Sequence, residues 1–131
     1  MDIKILLVDD EFDFVETMTK RFHIRKMPVT SAASGMEALK LIDEQDFDVV
    51  ILDVRMPGMD GLEVLRQIRA KRPLTEVIML TGHASLDAGM QGMSLGAYDY
   101  VLKPADFDEL LDKVRRAAER KALNVSAQAR G

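Results

Sequence analysis

The stretch VVILDVRMPGMDGLEVLRQIRAKRP, residues 49–73, decides the fold. It begins with a continuous apolar run, Val49 to Leu52. A run this short, with no polar alternation, suits a strand buried on both faces, as in a parallel sheet covered by helices. The run ends at Asp53. From Asp60 the pattern changes period: Leu62, Leu65 and Ile68 fall on one helical stripe. Asp60 followed by Glu63 reads as a helix start, and Pro73 lies just beyond the helix end. One strand, an acidic tip and one amphipathic helix make a βα unit.

The same unit recurs on either side, five times in all. Ile3 to Val8, apart from Lys4, and Val77 to Leu80 are further apolar runs of strand length. Val29 to Ala33 and Tyr98 to Leu102 are weaker, mixed runs that suit strands nearer an edge. The first helix carries Phe14, Val15, Met18 and Phe22 on one stripe. Ser34 and Glu37 form a capping-box pattern for the second, with Ala38, Leu41 and Ile42 inward. The fourth helix is expected from about Ser85 to Leu95. The fifth starts near Asp106, with Phe107, Leu110, Leu111, Val114 and Ala118 on one face. The alternation predicts an α/β fold: a doubly wound (βα)₅ domain, a five-stranded parallel sheet with helices on both faces in three layers. Residues 124–131 are small and polar without a stripe, and are expected to be a frayed end or a linker stub after a domain spanning 1–123.

Composition narrows the function. The 131 residues suit one domain with its own core. There is no cysteine, which removes thiol catalysis, zinc–thiolate sites and disulfides together. A formal net charge of −4 disfavours direct nucleic-acid binding. No apolar run approaches the ~18 residues needed to span a bilayer. The start, Met1 to Val8, does not continue into a signal peptide. A soluble, cytoplasmic protein without a membrane partner is expected.

In an open parallel α/β sheet, ligands gather at the carboxyl ends of the strands. The first strand ends in Asp9 and Asp10, the third in Asp53, the fourth in Thr81 and the fifth in Lys103. Each has an ordinary explanation when taken alone, as a turn, a cap or a surface residue. Five such groups on one edge do not. Three crowded carboxylates repel, and a hard divalent cation such as Mg²⁺ relieves them. A metal and an ammonium beside a carboxylate are what phosphoryl transfer to that carboxylate requires. Asp53, on the middle strand, is the candidate nucleophile. No glycine-rich nucleotide fingerprint follows the first strand, and His23 and His83 have no partners at metal-ligand spacing.

These residues resemble the response-regulator receiver domains of two-component signalling, which have a flavodoxin-like fold. The matching pieces are Leu-Leu-Val-Asp-Asp-Glu at 6–11, Asp-Val-Arg-Met-Pro-Gly-Met-Asp-Gly at 53–61, Leu-Thr-Gly-His at 80–83 and Tyr-Asp-Tyr-Val-Leu-Lys-Pro at 98–104. The resemblance covers the chain to about Leu123, and from Thr81 to Pro104 it looks closest to nitrogen-regulator-type receivers. It implies that Asp53 is the phosphoacceptor. It implies that Asp10, Asp53 and the Arg55 backbone carbonyl hold Mg²⁺, with Asp9 helping directly or through water. Lys103, followed by a cis bond to Pro104, would contact the phosphoryl oxygens. Thr81 would turn its hydroxyl to the phosphate and Tyr100 would rotate inward behind it. Gly82 would leave room, while Arg55 and His83 would tune access of the hydrolytic water. The phosphoryl donor would be a sensor histidine kinase or phosphotransfer protein.

The fourth helix contains Gly89 and Gly92, each costing roughly 1 kcal/mol relative to alanine. Either small residues are needed for close packing, or the helix is marginal and easily repositioned. On the second reading, the fourth helix, fifth strand and fifth helix form the output surface, with Leu86, Met90 and Met93 on one stripe. That surface would meet a downstream partner or a second copy of the chain in a phosphorylation-dependent homodimer. Two alternatives stand beside the signalling module. One is the detached receiver of a transcriptional regulator, since no output module lies within these residues. The other is an aspartyl-phosphate phosphatase, which Arg55 disfavours by standing where an acid–base Asp would be needed.

Overall fold

The computed structural model describes residues 2–56, 58, 60–82 and 86–130. Five strands alternate with five helices: β1 (Ile5–Val8), α1 (Phe12–Ile24), β2 (Val29–Ala32), α2 (Gly35–Glu44), β3 (Val49–Asp53), α3 (Gly61–Lys71), β4 (Glu76–Thr81), α4 (Leu86–Ser94), β5 (Asp99–Leu102) and α5 (Phe107–Arg130). The strands form one parallel sheet in the order β2-β1-β3-β4-β5. The expected (βα)₅ doubly wound fold is therefore present. The two strands with weaker apolar runs, β2 and β5, stand at the two edges, where one flank needs no strand partner.

Alternation along each strand divides the core into two halves. Ile5, Leu7, Val49, Ile51, Ile78 and Leu80 face α1 and α5, against Met18, Phe22, Leu110 and Val114. Leu6, Val8, Val50, Leu52, Val77 and Met79 face the other way, against Ile42, Val64, Leu65 and Ile68. A strand covered on both faces must be apolar at every position, which is why β1 and β3 read as unbroken runs.

The helix starts follow the sequence signals with small differences. Ser34 accepts a bond from the Glu37 N–H, and the Glu37 carboxylate accepts in return from the Ala33 N–H, one residue before the cap. Asp60 accepts from the Leu62 N–H at 3.0 Å, while Glu63 pairs with Arg66 instead of closing a capping box. The segment expected to be a frayed end or a linker stub is helical. Residues 124–130 continue α5 as helix to Arg130. Alanine, arginine and glutamine are good helix formers, and elongating an existing helix needs no new nucleus. The absence of an apolar stripe there reflects a helix that packs on little, since residues 122–130 are exposed.

Glycines in and before the helices serve close packing. A Cβ on Gly92 would fall 2.0 Å from Met79 Sδ, so α4 rests directly on β4 at this point. A Cβ on Gly89 would sit at ordinary contact distance, 3.6 Å from the Tyr100 ring and 3.7 Å from Thr81 Cγ2. Packing thus accounts for Gly92. Met90 and Met93 of the expected stripe are exposed. His83, Ser85 and the Leu86 side chain lie outside the described residues.

Gly61 opens α3 against the backbone that leaves β3. A Cβ there would lie 2.5 Å from Val54 Cα and 2.7 Å from its carbonyl oxygen, neither of which can step aside cheaply. Gly61→Ala is expected to destabilise the fold by about 2 kcal/mol or more. Gly82→Ala, whose Cβ meets nothing within 4 Å among the described residues, should stay within about 0.5 kcal/mol of the unaltered protein. Urea denaturation of the two variants checks both values.

Candidate functional site

Parallel strands deliver their carboxyl ends to one edge, and the site assembles there. Asp9 follows β1 and is fixed by its backbone N–H, which donates to the Ala32 carbonyl at 3.0 Å. Its side chain is folded back: Oδ1 accepts from the Glu11 N–H at 2.9 Å. Asp53 closes β3 in the same manner, with Oδ1 accepting from the Arg55 N–H at 2.8 Å. These local bonds leave the second oxygen of each carboxylate directed into the pocket. Asp9 and Asp53 are buried at 2% and 5% exposure, whereas Asp10 is exposed. One oxygen from each of Asp9, Asp10 and Asp53 lies within 4.8 Å of the others.

Lys103 enters from β5. Its backbone N–H donates to the Thr81 carbonyl at 2.7 Å, tying the tips of β4 and β5 together. Its peptide bond to Pro104 is cis. The ammonium lies 2.7 Å from Asp9 Oδ2, 2.7 Å from Glu11 Oε1 and 3.4 Å from Asp53 Oδ2. It also sits 4.6 Å from the centre of the Phe14 ring.

The electrostatics follow from burial. Burial pushes the Asp9 carboxyl above the usual carboxylate range, and the Asp53 charge adds to the push; the Lys103 ammonium and the Glu11 N–H oppose it without cancelling it. Burial of Lys103 works to lower its pKa, but the close contacts with Asp9 and Glu11 and the charges of Asp53 and Asp9 outweigh this and hold it above the ordinary lysine value. The 2.7 Å approach of Lys103 to Asp9 Oδ2 compensates charge without hydrogen-bond direction. Among the described residues, that buried oxygen has no hydrogen-bond donor, and the buried hydroxyl of Thr81 likewise has no partner. An orphaned carboxylate oxygen, two further carboxylates within reach and an all-oxygen donor set fit a hard divalent cation.

The structure therefore brings together Asp9, Asp10, Asp53 and Lys103, with Thr81 at the neighbouring strand tip. Tyr100 is half-buried on β5, its ring against Gly89 of α4. Arg55 is exposed beside the pocket. His83 lies outside the described residues. Two further residues join the site that the sequence pattern does not mark for it: Glu11, which stands in a motif, and Phe14, which stands on a core stripe; both contact the Lys103 ammonium. The signal was available in the position of Glu11, next to the paired aspartates on the same strand tip.

A doubly wound sheet with an acidic pocket and a lysine at its carboxyl edge defines a class of aspartate-centred α/β domains. Within that class, residues 5–115 match the family described as the response regulator receiver domain, and the chain belongs to it. It is 38% identical over 119 residues to the C4-dicarboxylate transport transcriptional regulatory protein DctD of Rhizobium meliloti, covering 91% of this chain and 26% of that protein. It is 36% identical to the DNA-binding transcriptional regulator NtrC of Escherichia coli, covering 86% of this chain and 24% of that one. The crystal structure of NtrX from Brucella abortus superposes with a TM-score of 0.91 at 28% identity, over 100% of this chain and 30% of that one. The chain thus spans about a quarter of the length of these curated relatives. Receiver domains are signalling modules and not turnover enzymes. Among the described residues, no helix is long and apolar enough to cross a membrane.

The raised Asp9 pKa has a definite sign. The folded protein binds this proton more tightly than the unfolded chain does. Its contribution to metal-free stability is therefore full at acid pH and falls as pH rises through the elevated value. Asp9→Asn should remove this cost. In EDTA at neutral pH it is expected to melt a few degrees higher than the unaltered protein, while losing most of its affinity for divalent cation. Calorimetry and a metal titration read the two effects.

Proposed function

We propose that this chain is a phosphorylation-controlled switch of a two-component phosphorelay, with Asp53 as its phosphoacceptor. The observation that carries this reading is the pocket itself: Asp9, Asp10 and Asp53 oxygens within 4.8 Å of one another, with the Lys103 ammonium 3.4 Å from Asp53. Mg²⁺, bound by Asp9, Asp10, Asp53 and the Arg55 backbone carbonyl, would supply positive charge to the phosphoryl oxygens and relieve carboxylate repulsion.

The donor is a phosphohistidine on a sensor histidine kinase or phosphotransfer protein. A free oxygen of Asp53 attacks phosphorus, the P–N bond breaks, and its electron pair returns to the imidazole nitrogen. The product is an acyl phosphate on Asp53. Lys103 neutralises one phosphoryl oxygen as charge shifts in the transition state. Thr81 then has a partner for its orphaned hydroxyl, and turning toward the phosphoryl group vacates space beside Tyr100 and Gly89. Inward rotation of Tyr100 would carry the change to the face formed by α4, β5 and α5. That face would meet a downstream partner or a second copy of the chain, in the cytoplasm, without direct nucleic-acid or membrane contact.

A second reading is favoured by the relatives. Both curated relatives named above are transcriptional regulators about four times as long as the matched region. On this reading the chain is the receiver portion of a longer regulator of that kind, and the helix to Arg130 leads toward its output module. A longer gene product carrying a DNA-binding module separates this reading from the first.

Incubation with acetyl phosphate and Mg²⁺, followed by intact mass spectrometry, is expected to show one added phosphoryl group that is absent in Asp53→Asn. Unmodified protein under these conditions overturns the phosphoacceptor role. Lys103→Ala should retain much of its metal binding yet lose the response. Amide exchange over residues 86–100 should change on phosphorylation in the unaltered protein and not in Lys103→Ala. Unchanged exchange in both would remove α4 and β5 from the output surface.

A further inference from the structure

The ammonium of Lys103 is held closer to the α1 side of the pocket than to Asp53. It lies 2.7 Å from Glu11 Oε1 and 3.4 Å from Asp53 Oδ2. Glu11 is the N-cap residue of α1, a position where short side chains normally bond the first free N–H groups of the helix. The Glu11 side chain makes no such bond. It reaches instead across 92 positions of sequence to Lys103. Its backbone is pinned for this reach by Asp9 Oδ1, which accepts the Glu11 N–H. One turn along, the Phe14 ring closes the same socket beneath the ammonium at 4.6 Å.

The three carboxylates around Lys103 differ in one respect. The Asp9 and Asp53 side chains are buried, whereas Glu11 is 64% exposed. A buried carboxylate cannot release a cation without being left unpaired in a dry site, which is costly. An exposed one can turn to water at little expense. Glu11 is thus the one member of the group that can let go cheaply.

From this we infer that Glu11 is a positioning residue: it holds the Lys103 ammonium toward α1 in the resting protein and limits how readily that ammonium reaches a phosphoryl group at Asp53. The inference rests on Asp53 being the phosphoacceptor and deepens that reading by assigning a role to a residue outside it. Arrival of the phosphoryl group supplies a competing anion, and Lys103 passes from Glu11 to the phosphoryl oxygen as Glu11 turns outward. Because Glu11 makes no capping bond, Glu11→Gln removes the charge without removing a capping hydrogen bond, and the charge–dipole loss it shares with Asp13→Asn is matched by that control.

Two measurements test this. With lysine side chains labelled with nitrogen-15 and no metal present, the Lys103 ammonium should give an exchange-protected signal, identified by its loss in Lys103→Ala. That signal should shift or broaden away in Glu11→Gln. Second, the initial rate of phosphoryl adduct formation from acetyl phosphate and Mg²⁺ should rise roughly two- to fivefold in Glu11→Gln, the scale of an exposed ion pair. Asp13→Asn removes the same charge from the first turn of α1, but Asp13 makes no ion pair with Lys103. Its rate should stay at the unaltered value. An unchanged or slower rate in Glu11→Gln, an equal gain in Asp13→Asn, or an undisturbed Lys103 signal overturns the inference. Absence of any adduct in the unaltered protein overturns the phosphoacceptor reading instead, and the two failures are told apart by that control.

Discussion

The pocket is organised by a conflict between like charges. Asp9 and Asp53 are driven into a buried edge by the strands that carry them, and the exposed Asp10 stands beside them. Their mutual repulsion would open the edge if nothing opposed it. Lys103 opposes it from β5, at close range. A single ammonium cannot satisfy three carboxylates in direction as well as charge. Burial raises the Asp9 pKa, and the Lys103 ammonium 2.7 Å away opposes that without cancelling it. The site is held together by one ammonium, and its acidic donor set fits a further, divalent cation.

The sheet makes this arrangement possible without long loops. Because every strand runs in the same direction, residues separated by as many as 94 positions, Asp9 and Lys103, meet at one edge. The two-sided core then fixes the height of each tip. Ile5 and Leu7 lock β1 against α1 and α5, while Leu6 and Val8 lock it against the opposite layer. A register slip by one residue would exchange the two faces and turn Asp9 away from its neighbours. The opposite edge has its own charge pairing, with Lys121 bonded to Asp46 and Asp48 and Glu76 paired to Arg69 and Arg120. The pairs of Lys121 and Arg120 fasten α5 to the amino ends of β3 and β4, and Arg69 ties α3 to β4, far from the acidic pocket.

Much of this was legible in the residues. The unbroken runs of β1, β3 and β4 announced burial on both faces, and the mixed runs of β2 and β5 announced edges. The acidic and basic tips could be placed on one edge from topology alone. What escaped is instructive. Glu11 and Phe14 enter the site through a side-chain choice that no periodicity encodes: a helix-start carboxylate that turns from its own helix, and a half-buried ring that serves core and cation at once. The helical continuation from 124 to 130 escaped because an exposed helix has no stripe to read. The glycines of α4 could be read in two ways, and only the position of Met79 beneath Gly92 separates close packing from weak helix propensity at that residue.

The bond from the Lys103 backbone N–H to the Thr81 carbonyl has a mechanical consequence. It rivets two neighbouring strand tips into one plate. Neither Thr81 nor Lys103 can then answer a new ligand by sliding its main chain, and the available movement is confined to rotation about side-chain bonds. Under the proposed function, a chemical event at the edge would be converted into turning rather than translation, and turning is the kind of motion that a ring resting on a glycine surface can follow.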